Sequence, residues 1–102
     1  MTAGPRECRR LIIRGRVQGV GYRAWVAEQA IAAGLAGWVR NRRDGSVEAV
    51  LAGAPEAVMA MTAACRRGPA GARVDNIAEE AIDAAALGNM PAGEAFVVLP
   101  TC

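Results

Sequence analysis

Residues 15–23 read Gly-Arg-Val-Gln-Gly-Val-Gly-Tyr-Arg, with three glycines in seven positions and an arginine closing the run. Glycine lets successive backbone N–H groups turn toward one point and form a concave nest, and such nests bind anions. A helix beginning just after the loop adds its own unsatisfied N–H groups to the same place. Arg23 would then supply a planar fork that grips two phosphate oxygens at once. The chemistry suggested is phosphate binding at a strand-to-helix loop. Glycine-rich loops also serve as tight connections, so Arg23 tips the reading.

What the chain lacks narrows the rest. It contains no histidine, which removes Ser-His-Asp and Cys-His hydrolases in their usual form and most zinc enzymes. Cys8, Cys65 and Cys102 are odd in number and widely spaced, a pattern of reduced thiols in the cytoplasm rather than a disulfide framework. No cysteine has the histidine that normally activates it as a nucleophile. No metal ligand cluster and no cofactor are expected. Any chemistry here must need little help from a side-chain base.

The elements that position the loop follow from periodicity. With 102 residues, 53% hydrophobic and 22% charged, the chain reads as one globular domain over 1–102. No apolar run approaches the length of a membrane span. Residues 8–15 alternate as a strand, with Leu11 and Ile13 on one face and Arg10, Ile12 and Arg14 on the other. Residues 22–33 read as a helix whose inward stripe is Val26, Ala30 and Ala33, with Gly34 as its C-terminal cap and Leu35 packing back. Residues 38–42 and 46–51 form a hairpin around Asp44-Gly45. A second helix opens at Pro55 and stops before Gly68-Pro69, with Val58, Met61, Thr62 and Cys65 as its buried stripe and Met59 also assigned to the core. A fourth strand runs through residues 72–82, where the spacing of Val74 and Ile77 predicts a bulge. A loop over 83–94 and a short apolar strand in Ala95–Leu99 complete the chain. The order predicts an α+β ferredoxin-like sandwich, βαββαβ plus a short terminal strand, with two helices on one face of an antiparallel sheet.

Two stretches resemble the signatures of the acylphosphatase family. Ile13–Arg23, Ile-Arg-Gly-Arg-Val-Gln-Gly-Val-Gly-Tyr-Arg, is similar to the first. Gly37–Gly53, Gly-Trp-Val-Arg-Asn-Arg-Arg-Asp-Gly-Ser-Val-Glu-Ala-Val-Leu-Ala-Gly, is similar to the second. The resemblance spans about residues 8–79. It implies the same sandwich and hydrolysis of an acyl phosphate to a carboxylate and inorganic phosphate without metal. Position by position, it implies that the loop of Gly15, Arg16, Val17, Gln18, Gly19 and Val20 holds the phosphoryl oxygens, that Arg23 binds phosphate, and that Asn41 orients the attacking water. Gly21 departs from the aromatic or histidine found in many relatives, which is expected to loosen the helix start. Pro100-Thr101-Cys102 replaces the more usual ending and puts the length of the last strand in question.

The reaction suits a chain without histidine, because the leaving group is a carboxylate already stable as an anion. What remains is charge neutralisation and alignment of a water. Gln18 is expected to brace the loop, and Tyr22 and Trp38 to pack near the site. Residues 1–43 hold nine arginines against two acids, and 44–102 hold three against eight, so the first half favours an anionic ligand. One alternative is a non-catalytic ferredoxin-like module that binds phosphate or RNA, but an RNA-binding sheet needs aromatic residues for stacking, and the chain has one Phe, one Tyr and two Trp. Another is the acylphosphatase-like domain of hydrogenase maturation proteins, which are much larger chains. The expected partners are a small-molecule acyl phosphate and inorganic phosphate, with no nucleic acid and no membrane, acting on a cytoplasmic monomer. Nothing in the residues names the acyl group.

Overall fold

The computed structural model describes residues 7–83 and 96–102. Its elements are β1 (Glu7–Arg16), α1 (Tyr22–Ala32), β2 (Ala36–Asn41), β3 (Val47–Gly53), α2 (Pro55–Arg67), β4 (Arg73–Ala81) and β5 (Phe96–Val98). They form one sheet in the order β4-β1-β3-β2-β5. The first four strands pair antiparallel, as the periodicity implied, but β5 lies parallel to β2, so the complete sheet is mixed. The expected loop over 83–94 lies outside the described residues apart from Asp83.

Both helices cover one face. Leu11 and Ile13 of β1, Val39 of β2, and Val47, Ala49 and Leu51 of β3 meet Val26 and Ala30 of α1 and Val58, Met61 and Cys65 of α2. All seven residues of β3 are buried, because this strand is central, with helices over one face and the side chains of neighbouring strands, Arg10 and Arg40 among them, over Glu48 on the other. The end of α1 is closed by Gly34 N–H to Ile31 O (3.0 Å) and Leu35 N–H to Ala30 O (2.9 Å), the paired bonds of a Schellman motif. Leu35, 1% exposed, takes the inward place expected of Ala33, which is the helix cap and points to solvent. Met59 also corrects the sequence reading. It is 64% exposed, since it sits one position off the stripe of Val58, Met61, Thr62 and Cys65.

The bulge is present. Arg14 pairs with Asn76 but Gly15 with Val74, which leaves Asp75 as the extra residue. Gly15 is required there by close approach, because a Cβ would lie 2.1 Å from Arg73 O.

The face away from the helices carries a ladder of charges across four strands. Arg40 Nε donates to Glu48 Oε1 (2.8 Å), Arg10 Nε to Glu48 Oε2 (2.6 Å), and Arg10 Nη1 to Glu80 Oε1 (2.9 Å). Arg40 also lies over the Trp38 ring at 4.7 Å. Burial opposes the ionisation of Glu48, but the bonds from Arg10 and Arg40 outweigh it and hold its carboxyl below the ordinary glutamate range. A carboxyl whose pKa is depressed by folding contributes stability above its unfolded pKa and loses it as pH falls through the folded one. Glu48→Gln should therefore cost about 2 kcal/mol at pH 7, less than a fully buried pair loses because both arginines reach solvent. Urea unfolding at pH 7 and pH 3 checks this, and the gap between variant and parent should shrink in acid.

Candidate active site

β1 ends at Arg16, and residues 17–21 carry the chain to α1. Val17, 1% exposed, pins the start of this loop into the core. Gly19 (φ +76°) and Gly21 (φ +78°) are both in the left-handed region, and a Cβ at Gly19 would meet no protein atom within 4 Å. The loop thus turns its backbone outward at Gly19 instead of against its own fold. Among the described residues, none of the backbone N–H groups of residues 18–24 donates to a protein acceptor. The first turn of α1 has no acidic residue, so the positive pole of the helix is uncompensated.

Val17, Gln18, Gly19, Gly21, Tyr22, Arg23, Ala24 and Asn41 surround one pocket of about 180 Å³. Of the residues expected in the loop, Gly15 and Arg16 lie outside it, paired in β1 against Val74 and Arg73. Val20 packs against the core instead. Gly21 and Ala24 line the pocket though sequence reasoning assigned them no part in it. The glycine density at 15–21 was the available signal for Gly21, which is the N-terminal cap of α1.

Arg23 is the arginine that lines this pocket, and it differs from the six described arginines that are paired. Arg9, Arg10, Arg14, Arg40, Arg66 and Arg73 each lie against a carboxylate. Arg23 has no such partner among the described residues. Asn41, the last residue of β2, brings a second unused group. Its Oδ1 is buried and has no hydrogen-bond partner among the described residues. A buried acceptor without a partner is costly, and here it belongs to a residue that lines the pocket.

Gln18 ties the two halves together. Its Nε2 donates to Arg42 O (2.8 Å) and Ser46 O (2.9 Å). The strands of the hairpin stop short of the expected Arg42 and Ser46, because those residues close the turn instead, through Arg42 N–H to Ser46 O (2.8 Å). Asp44 stiffens it by accepting from Ser46 N (2.9 Å) and Ser46 Oγ (2.5 Å). Those bonds, hydroxyl first, hold the Asp44 carboxyl down to about 2, with the charges of Arg42 and Arg14 adding.

Two other reactive groups are withheld from chemistry. Burial pushes the Cys65 thiol up to about 11, so it is protonated at neutral pH. Burial likewise raises the Tyr22 phenol above its ordinary range, and its hydroxyl donates to Cys65 O at 2.7 Å. Tyr22 thereby joins the first turn of α1 to the last turn of α2. Trp38, expected near the site, lies on the opposite face of the sheet under Arg40.

The family model described as Acylphosphatase matches residues 9–88. The chain belongs to the acylphosphatase family. An acylphosphatase of Bradyrhizobium diazoefficiens is 63% identical over 89% of this chain and 92% of its own length. The solved structure of an acylphosphatase from Coxiella burnetii superposes with a TM-score of 0.80 at 32% identity, covering 92% of this chain and 93% of that one. That of the Bacillus subtilis acylphosphatase gives 0.78 at 33% identity, covering 90% and 97%. The family activity is hydrolysis of acyl phosphates, and the ferredoxin-like sandwich is the fold of these acylphosphatases. No described helix is long and apolar enough to cross a membrane.

The backbone at Gly19 gives a direct test of the loop. Gly19→Val should leave a folded protein whose turnover falls at least about 100-fold. A β-branched residue is strained at this φ, and its side chain would project from the loop beside the pocket. Circular dichroism and acyl phosphate hydrolysis measured together check it, and parental turnover would make the loop a mere connector.

Proposed function

We propose that the pocket is the hydrolytic site, with the loop and the first turn of α1 as the phosphate cradle. In this reading the free N–H groups of Gln18, Gly19 and the residues after them receive phosphoryl oxygens. Arg23 adds a bidentate, charge-assisted contact. Gly15, Arg16, Val17 and Val20 shape the loop. Asn41 Oδ1 accepts a hydrogen bond from the attacking water. The observation that carries the reading is one pocket lined by both an arginine without a carboxylate and a buried amide oxygen without a donor.

The chemistry closes without a protein base. The water oxygen bonds to phosphorus in line with the departing acyl oxygen. The P–O bond to the acyl group breaks, and the carboxylate leaves with the electron pair. The water proton passes to a phosphoryl oxygen, so the products are a carboxylate and dihydrogen phosphate. The protein supplies positioning and charge neutralisation. No metal is needed in this scheme. A pocket of about 180 Å³ supports action on a small molecule. The aromatic group of the open sheet face, Trp38, is 4% exposed beneath Arg40, which disfavours base stacking. Three free thiols fit a reducing compartment, and the cytoplasm is the proposed location.

Hydrolysis of a synthetic acyl phosphate should persist in EDTA and be inhibited competitively by inorganic phosphate. Loss on chelation with recovery in magnesium would overturn the scheme. Two variants separate the roles. Arg23→Gln should weaken phosphate inhibition and kcat/KM together, by the roughly 1.5–3 kcal/mol of a charged hydrogen bond. Asn41→Ala should lower kcat by about 100-fold or more and leave phosphate inhibition nearly unchanged, because water alignment matters chiefly in the transition state. Steady-state kinetics with thermal melts distinguish these outcomes from misfolding.

A further inference from the structure

We propose that the segment following β5, residues 99–102, is a backbone strap that positions Asn41. The inference rests on the water-orienting role proposed for that residue. Pairing between β2 and β5 covers Gly37, Trp38 and Val39 and stops there, two residues short of Asn41. On its other side Asn41 is held by β3 through Val47. A strand end tied on one edge only would fray where the site needs it fixed.

The chain after β5 supplies the missing edge. Leu99 N–H donates to Val39 O at 2.9 Å. Pro100 has no N–H to continue the ladder, and the segment rejoins β2 further on. Cys102 N–H donates to Asn41 O (3.2 Å), and Cys102 O accepts from Arg43 N–H (3.0 Å). One residue bonding to both neighbours of Arg42 is the pattern of a parallel ladder, so Cys102 resumes the pairing opposite Arg42. Val98 is opposite Val39, so the segment spends one more residue than β2 between the two contacts, and the surplus falls at Pro100-Thr101. With Gln18 holding Arg42 O, residues 41–43 are gripped by the phosphate loop and by the strap.

The direction of the Asn41 side chain follows from its backbone, and a displacement near 1 Å at a positioning group costs about 100-fold in rate. The strap holds Asn41 through backbone groups alone. Side-chain changes in the segment should therefore be silent, and loss of the N–H or the carbonyl should not.

The test uses the purified protein of residues 1–102 and four variants, assayed with acetyl phosphate as substrate and inorganic phosphate as inhibitor. Deletion of residues 100–102 removes both contacts to β2 at this point. Cys102→Pro removes the N–H donor and keeps the chain, so it carries the test if the deletion fails to fold. Each should lower kcat by about 10-fold or more while phosphate inhibition stays within about twofold. Cys102→Ala should match the parent in both. Undiminished kcat in a folded deletion or Cys102→Pro protein overturns the proposal. So does phosphate affinity that falls in parallel with kcat, which would mean general support of the fold, or an equal loss in Cys102→Ala, which would mean the thiol matters. Asn41→Ala assayed alongside separates the layers. If it keeps its kcat, the water-orienting role fails and the strap with it; if it loses kcat while the deletion does not, the strap alone fails.

Discussion

The double donation from Gln18 to Arg42 O and Ser46 O is the contact on which the site depends. It joins the β1–α1 loop to the β2–β3 turn, two segments that no ladder pairing links. Each segment has its own internal order. The loop is anchored by Val17 and turned by left-handed glycines. The turn is anchored by Asp44 and Ser46. Without a link, the distance between the proposed cradle and Asn41 would be set only by β3, which separates β1 from β2. One amide group makes them a unit, and both of its protons are used in doing so.

The arginines divide along the same lines. Several arginines of the sheet lie against carboxylates: Glu48 takes Arg10 and Arg40, and Glu79 takes Arg9 together with Arg66 of α2. These pairs neutralise charge that would otherwise gather on a chain with a strongly basic first half. Arg23 is left without a carboxylate beside it, so its charge is available to a ligand. A helix start without acidic residues and a set of unspent N–H groups add to the same local potential.

Protection of the reacting groups is accomplished by what surrounds them. Tyr22 lines the pocket, yet its hydroxyl is spent on Cys65 O, and its ring lies 5.7 Å from that of Trp25. A cysteine and a tyrosine close to the site are thereby made structural. Asn41, another residue lining the pocket, keeps a buried amide oxygen without a partner among the described residues.

The sequence by itself determined the elements, the bulge and the family. Alternation in β1, the Pro55 start of α2, the Asp44-Gly45 turn and the two signature stretches are all local patterns, and local patterns survive without knowledge of the partners they meet. Tertiary structure decided what depends on which atoms come together. It left Ala33 exposed as the cap of α1 while Leu35 filled the core, and exposed Met59 because hydrophobicity of type does not fix the face a residue occupies. It placed Gly15 and Arg16 in the sheet against the β4 bulge, leaving residues 17–24 to line or flank the pocket. It laid β5 parallel to β2, since a strand's direction depends on the path that returns it to the sheet. Above all it brought Arg23 and Asn41, which the signature stretches had already named, to the lining of one pocket, because the approach of residues from separate elements exists only in the folded chain.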